Sequence, residues 1–174
     1  MANSTALGTQ VQQHLSSLWR FALVLSRNRD TADDLVQSTC LRALEKSHLY
    51  EPNTRLDRWL FSIMINIWRN ELRAAKIRQG RGFVEAEKEL VFDGISAIET
   101  NIMATKVLTE VMALPDAQRE AVLLVYLEGM RYREAAKILD VPIGTIMSRL
   151  ASARQKLARL NEVKTEAIQS KKHN

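Results

Sequence analysis

Residues 131–160 read RYREAAKILDVPIGTIMSRLASARQKLARL. A short helix over 132–139 carries Ala135, Ala136 and Leu139 on one side. The tight turn Asp140-Val141-Pro142-Ile143 follows, and a second helix opens at Gly144-Thr145. There Ile146, Leu150, Ala153, Leu157 and Leu160 step four, three, four, three along an inward stripe. The opposite arc holds Thr145, Ser148, Arg149, Ser152, Gln155, Lys156 and Arg159, and Arg154 lies on the other flank. Small Ala136 lets the two helices approach, and Val141 plugs the turn. This spacing predicts a helix-turn-helix whose second helix offers short polar and Arg side chains to a major groove. Arg reads guanine bidentately, and Ser and Thr reach bases or phosphates. The candidate DNA-binding residues are therefore Thr145, Ser148, Arg149, Ser152, Arg154 and Lys156. Residues 144–159 hold four basic side chains and no acid, so attraction to phosphate is unopposed there. A plain helical hairpin with a solvated basic face is the competing reading; the turn spacing and the absence of acids favour DNA.

Outward from this segment the chain reads as helices. Six glycines and three prolines leave long stretches without a breaker, no alternating strand pattern occurs, and no glycine-rich phosphate loop follows a strand. One helix is expected over 9–27, with Val11, Leu15, Leu18, Ala22 and Leu25 inward. A second, over 31–47, has Asp30 as its expected cap and Ala32, Leu35, Val36, Cys40, Ala43 and Leu44 inward. A third, over 55–78, has a broad apolar arc and a strip containing Arg58, Asn66, Arg69, Asn70, Arg73 and Lys76, with Trp59 at its edge and Trp68 deep in the apolar side. A helix over 96–113 leads to Leu114-Pro115-Asp116, where Pro115 suits the first helical position and Asp116 the first turn. Gly129 is expected to end that helix in a left-handed cap. The fold class is all-α: two small helical domains, 1–80 and 96–174, joined by a flexible linker over 81–95. The polar tail after about 162 is expected to fray.

Composition excludes several classes. Hydrophobic residues make up 46% and charged residues 26%, which a wholly disordered chain does not have. No apolar run approaches a membrane span, and the start MANSTALGTQVQQ lacks the features of a signal peptide, so the expected compartment is the cytoplasm. The lone Cys40 excludes an intramolecular disulfide and a zinc site of paired cysteines. His14, His48 and His173 are scattered, and no nucleophile with a nearby base assembles from spacing. No enzyme activity, metal or cofactor is expected. Residues 1–80 hold 11 Lys/Arg against 7 Asp/Glu, residues 81–105 hold 2 against 5, and residues 106–174 hold 12 against 8. Two basic blocks thus flank an acidic one, which suits an anionic partner.

Four segments, in order, resemble the extracytoplasmic-function (ECF) sigma factors of the sigma-70 family. Asp33-Asp34-Leu35-Val36-Gln37 is similar to a D-D-L-V-Q stretch of region 2. Trp59-Leu60-Phe61 through Asn66, with Arg69-Asn70, is similar to its W-L-x-x-I-x-x-N helix. Leu114-Pro115 with Arg119-Glu120 resembles the opening of region 4, and Gly144-Thr145-Ile146, Ser148-Arg149-Leu150 and Ala153-Arg154 resemble its recognition helix. The resemblance spans about 9–160. The chain departs from the pattern at Met147 and Ser152, where Lys or Arg is common, and at Arg131, where Ser or Thr is.

The resemblance implies a transcription initiation factor. Region 2 binds core RNA polymerase, on the clamp helices of the largest subunit, and recognises the −10 element; region 4 contacts the flap and reads the −35 element. On this basis Asp33, Asp34, Leu35, Val36 and Gln37 are the polymerase-docking candidates, although a capped surface helix explains the same acids. Tyr50, Asn53, Thr54 and Arg55 lie in the loop that in this family captures a flipped −10 base, although a polar turn explains them as well. Arg58, Trp59, Asn66, Arg69, Asn70, Arg73 and Lys76 are the remaining −10 candidates: phosphate partners, hydrogen-bonding amides and a stacking ring, although a core position explains Trp59 equally well. An anti-sigma factor is a further expected partner. A sigma-like decoy and a plain helix-turn-helix regulator are the alternatives.

Overall fold

The computed structural model describes residues 2–80 and 102–171, all of whose regular elements are helical. The chain divides into two compact units, Met1–Gly94 and Ile95–Asn174. The expected linker 81–95 and the start of the helix expected over 96–113 lie outside the described residues.

The first unit contains α1 (Ala2–Ser26), α2 (Arg29–Glu45), a single 3-10 turn (Ser47–Leu49) and α3 (Leu56–Gly80). Arg27 adopts φ +61°, reversing the chain after α1. Asn28 then caps α2: it has extended backbone (φ −142°, ψ 132°), and its side-chain oxygen accepts from the Thr31 N–H at 2.9 Å. Asp30, the expected cap, sits inside the first turn, because α2 begins earlier than its apolar periodicity suggests. There its charge still favours the positive end of the helix dipole.

The core of this unit joins Leu18 and the run Phe21–Leu25 of α1 to Ala32, Leu35 and Ala43 of α2 and to Leu60, Phe61, Met64, Ile65 and Trp68 of α3. The Phe21 and Phe61 rings meet with centroids 4.8 Å apart at a 40° tilt. The buried face of α2 is Ala32, Leu35, Thr39 and Ala43, rotated from the expected Val36-Cys40-Leu44 side. Thr39 is fully buried because its hydroxyl donates to the Leu35 carbonyl at 2.7 Å, which removes the cost of burying it. Leu15 and Leu44, expected inward, are exposed. Cys40 is half-buried, and burial pushes its thiol up, away from the reactive thiolate.

The second unit contains α4 (Ile102–Met112), α5 (Asp116–Val122), a π-helical segment (Leu123–Leu127), α6 (Tyr132–Leu139) and α7 (Ile143–Lys171). Pro115 caps α5 instead of opening it: its ψ of 146° is extended, so Asp116 is the first helical residue. Every residue from Arg119 to Val125 is buried, making α5 and the π segment the centre of the unit. Val111, Met112, Leu114, Met130, Ala135, Leu139, Ile146, Leu150 and Ala153 complete its core. The tail expected to fray after 162 is helical to Lys171. No Gly or Pro interrupts 145–171, so the backbone has no reason to leave the helix.

Gly129 has φ +62°, and nothing lies within 4 Å of where a Cβ would sit. Gly129→Ala is therefore a pure backbone test, expected to cost about 1 kcal/mol by the left-handed penalty alone. Denaturant unfolding measures it, and an unchanged midpoint would contradict the assignment.

Candidate nucleic-acid interface

In the helix-turn-helix, α6 buries Ala135, Ala136 and Leu139, and α7 buries Ile146, Leu150 and Ala153 against them. Asp140 closes α6 in the left-handed conformation (φ 51°, ψ 53°), and the Val141 N–H donates to the Ala136 carbonyl at 3.1 Å. That pair of features makes the sharp turn. Arg131 precedes α6 and has no acceptor with which to cap it. The complementary half of a capping box is present: the Glu134 carboxylate accepts from the Arg131 N–H at 2.8 Å.

The outer side of α7 is uneven. Gly144, Met147, Ser148, Arg154, Gln155 and Lys156 are exposed; Thr145, Arg149 and Ser152 are half-buried. The Ser148 hydroxyl donates to the Thr145 carbonyl at 3.0 Å, leaving its oxygen free to accept. One guanidinium nitrogen of Arg149, Nη1, is enclosed without a hydrogen-bond partner. Arg154 Nη1 donates to the Tyr126 hydroxyl at 3.2 Å. Helical spacing puts Thr145, Ser148, Arg149, Ser152 and Lys156 on one side of α7, with Arg149 half-buried, and Arg154 on the other flank, against Tyr126. The side chains of Arg159 and Leu160 lie outside the described residues.

In the first unit, the loop before α3 is held by its own bonds. The Tyr50 hydroxyl donates to the Thr54 carbonyl at 2.9 Å, the Thr54 hydroxyl donates to the Glu51 carbonyl at 2.7 Å, and Asn53 takes φ +71°. Tyr50 lies against Trp59, centroids 5.3 Å apart and tilted by 41°. Trp59 is half-buried. The Arg55 guanidinium pairs with Asp57 at 2.5 Å and holds that carboxyl below its ordinary range. A depressed carboxyl adds stability above the ordinary carboxylate pKa and loses it as pH falls, so this loop is firmest at neutral pH.

Along α3, Asn66, Asn70, Arg73 and Lys76 are exposed and Arg58 and Arg69 half-buried, making one strip that continues from the aromatic pair. Asn70 accepts from Arg73 at 3.0 Å. Trp68 is buried, as its place on the apolar arc predicts.

The polymerase-docking candidates separate. Asp34 and Gln37 are exposed, and Val36 is half-buried. Leu35 is 1% exposed and belongs to the core, behind the exposed residues of α2. Asp33 is half-buried and accepts from the Trp19 indole N–H at 2.7 Å, a tie between α1 and α2. Among the described residues no cluster of His, Cys, Asp and Glu is arranged to hold a metal, and no helix is long and apolar enough to cross a membrane.

Sequence reading missed three functional or structural side chains. The Trp19 tie and the buried Arg119 are polar groups whose partners come from another turn or helix. Tyr126 follows an apolar run that gives no hint of an outward residue.

Comparison with known proteins places these features. Residues 10–77 match the model of Sigma-70 region 2, and residues 105–157 match that of Sigma-70, region 4. The ECF RNA polymerase sigma factor EcfG of Rhodopseudomonas palustris is 34% identical over 160 residues, covering 92% of this chain and 87% of that protein. The ECF RNA polymerase sigma factor SigC of Mycobacterium tuberculosis is 33% identical over 155 residues, covering 89% and 83%. Among solved structures, the sigma factor RpoE from Bartonella quintana, crystallised with the anti-sigma factor NepR, superposes with a TM-score of 0.72 at 30% identity, covering 91% of this chain and 98% of that one. CnrH, in complex with the cytosolic domain of CnrY, gives 0.62 at 25% identity, covering 91% and 89%.

Proposed function

The chain belongs to the sigma-70 family, as an ECF sigma factor that directs core RNA polymerase to promoters, and we propose that three surfaces on its two units carry that work. It acts by binding and catalyses no reaction of its own. Residues 1–80 act as region 2 and residues 96–174 as region 4, with 81–95 as the tether that lets both engage one DNA. The exposed end of α2, led by Asp34 and Gln37, docks on the clamp helices of the largest polymerase subunit. The Tyr50–Trp59 pair and the strip Arg58, Asn66, Arg69, Asn70, Arg73 and Lys76 take the −10 element, with Asn53, Thr54 and Arg55 at the loop mouth. Thr145, Ser148, Arg149, Ser152, Arg154 and Lys156 read the −35 element.

The observation that carries this reading is the aromatic pair at the end of a basic, amide-bearing strip. Two rings 5.3 Å apart, both only half-buried, suit the stacking of an unpaired base. A simple duplex-binding regulator has no use for such a platform. The protein works in the cytoplasm, where core polymerase is. An anti-sigma factor is its expected inhibitor, because the sigma factor RpoE, which shares its fold, was solved in complex with the anti-sigma factor NepR.

Selection of DNA fragments by polymerase reconstituted with this chain tests the reading. It should enrich a two-part motif at fixed separation. Enrichment by the chain alone, without polymerase, would mark a plain regulator, and no enrichment at all a decoy. Docking is tested by Asp34→Lys. This exposed carboxylate shares a shallow cavity with Thr31, Trp68, Glu71 and Arg78. Reversal should weaken core binding by about tenfold, a little over 1 kcal/mol, with unfolding unchanged. Unaltered affinity would remove Asp34 from the docking surface. Asp33 is unsuitable for this test, since its loss also breaks the Trp19 bond.

A further inference from the structure

We propose that Tyr126 is a positioning residue for promoter recognition: its hydroxyl holds Arg154 in place to meet the −35 duplex. The proposal rests on the reading of α7 as the recognition helix. It concerns a residue outside that helix and outside the helix-turn-helix.

The backbone explains why Tyr126 faces outward. Residues Arg119 to Val125 are buried without interruption, and the chain then turns Tyr126 and Leu127 out, 52% and 46% exposed. The change falls in the π-helical segment Leu123–Leu127, where the Glu128 N–H reaches back five residues to the Leu123 carbonyl at 3.1 Å. A wider turn shifts every following side chain around the axis, and such segments recur at functional sites. Here it delivers a phenol to the side of α7.

The hydroxyl accepts from Arg154 Nη1 at 3.2 Å, across 28 residues of sequence. Arg is a long side chain with large rotamer freedom, and ordering it on DNA costs up to about 2 kcal/mol when nothing restrains it. One bond to a short, stiff aromatic removes part of that freedom beforehand. A single bond to Nη1 leaves the other guanidinium donors for phosphate or a guanine edge. The phenol carries no charge, so it restrains the guanidinium without competing for it as a carboxylate does.

The experiment uses reconstituted holoenzyme on a promoter duplex that it has itself selected. Tyr126→Phe keeps the ring and deletes only the hydroxyl. Arg154→Ala should weaken duplex binding by about tenfold and lower the salt slope by about one. Tyr126→Phe should weaken it by about threefold, the low end of what one hydrogen bond contributes, because the bond is exposed. In the double variant Tyr126→Phe should add nothing, because its only effect passes through Arg154. Thermal unfolding of the Tyr126→Phe chain and its affinity for core polymerase should not change. A Tyr126→Phe holoenzyme equal to wild type, or losses that multiply in the double variant, would overturn the positioning role while leaving Arg154 as a DNA contact. An Arg154→Ala holoenzyme equal to wild type would overturn the reading of Arg154, and the role of Tyr126 with it.

Discussion

Arg119→Met should destabilise the second unit by about 3–5 kcal/mol, the scale of breaking a buried ionic group from its partners. Arg119 has no exposed surface. Its Nη1 donates to the Leu114 carbonyl at 2.7 Å and to the Met112 carbonyl at 3.3 Å, and its Nη2 pairs with Asp116 at 2.5 Å. The first two are carbonyls at the end of α4 and in the bend before Pro115, which no helical N–H reaches. One guanidinium thus satisfies the break between two helices and clamps the acid in the first turn of α5. A methionine fills the volume and leaves both carbonyls buried without donors, each worth about 1–3 kcal/mol. Arg119→Lys, a single point donor without the fork, should fall between. Total stability of a small domain is only about 5–15 kcal/mol, so the loss is visible in denaturant unfolding, and hydrogen exchange confined to residues 107–158 locates it. A methionine variant within 1 kcal/mol of wild type would contradict the role.

The second large effect falls on DNA. Arg149→Ala should cost about 1–3 kcal/mol of −35 discrimination and yet leave the free protein no less stable. The two halves of this expectation have separate causes. Arg149 lies one turn into α7 among the −35 candidates, where a guanidinium meets a base edge or a phosphate. In the free protein its Nη1 is enclosed without a partner, a cost that alanine relieves. Stability and recognition should therefore move apart, which a merely structural arginine does not allow. Transcription from a pre-melted template should survive, because opening at −10 is proposed for residues 50–76. Equal loss on both templates, or a fall in stability, would return Arg149 to the scaffold.

Much of the fold was legible because helices announce themselves by spacing. Ile146, Leu150 and Ala153, stepping four and three, are the residues buried against α6, and Gly129 has the left-handed conformation that its place between helices implies. Where reading from sequence slipped, a polar atom had found a local partner. Thr39 can be buried because it bonds its own helix, and the inward face of α2 is Ala32, Leu35, Thr39 and Ala43 instead of the side of Val36, Cys40 and Leu44. Asn28 caps α2 ahead of Asp30 because capping depends on a backbone angle that composition does not carry. At the site, the same limits apply. Spacing places five of the −35 candidates on one side of α7 and Arg154 on the other flank, and the family resemblance picks out the end of α2. Neither shows that Asp33 is tied to Trp19, that Leu35 is core, or that Tyr126 meets Arg154 across 28 residues. Those depend on how separate helices pack, and on a π segment whose extra residue has no sequence signature.

The central claim is that this chain makes core polymerase promoter-specific through two separate DNA readings. Run-off transcription from the selected promoter, by core polymerase with and without the purified chain, tests it most directly. The account predicts a single discrete transcript that requires the chain and is lost when either the −10 or the −35 half of the duplex is scrambled. A chain that binds core polymerase without producing that transcript, or a transcript indifferent to both halves, would contradict it.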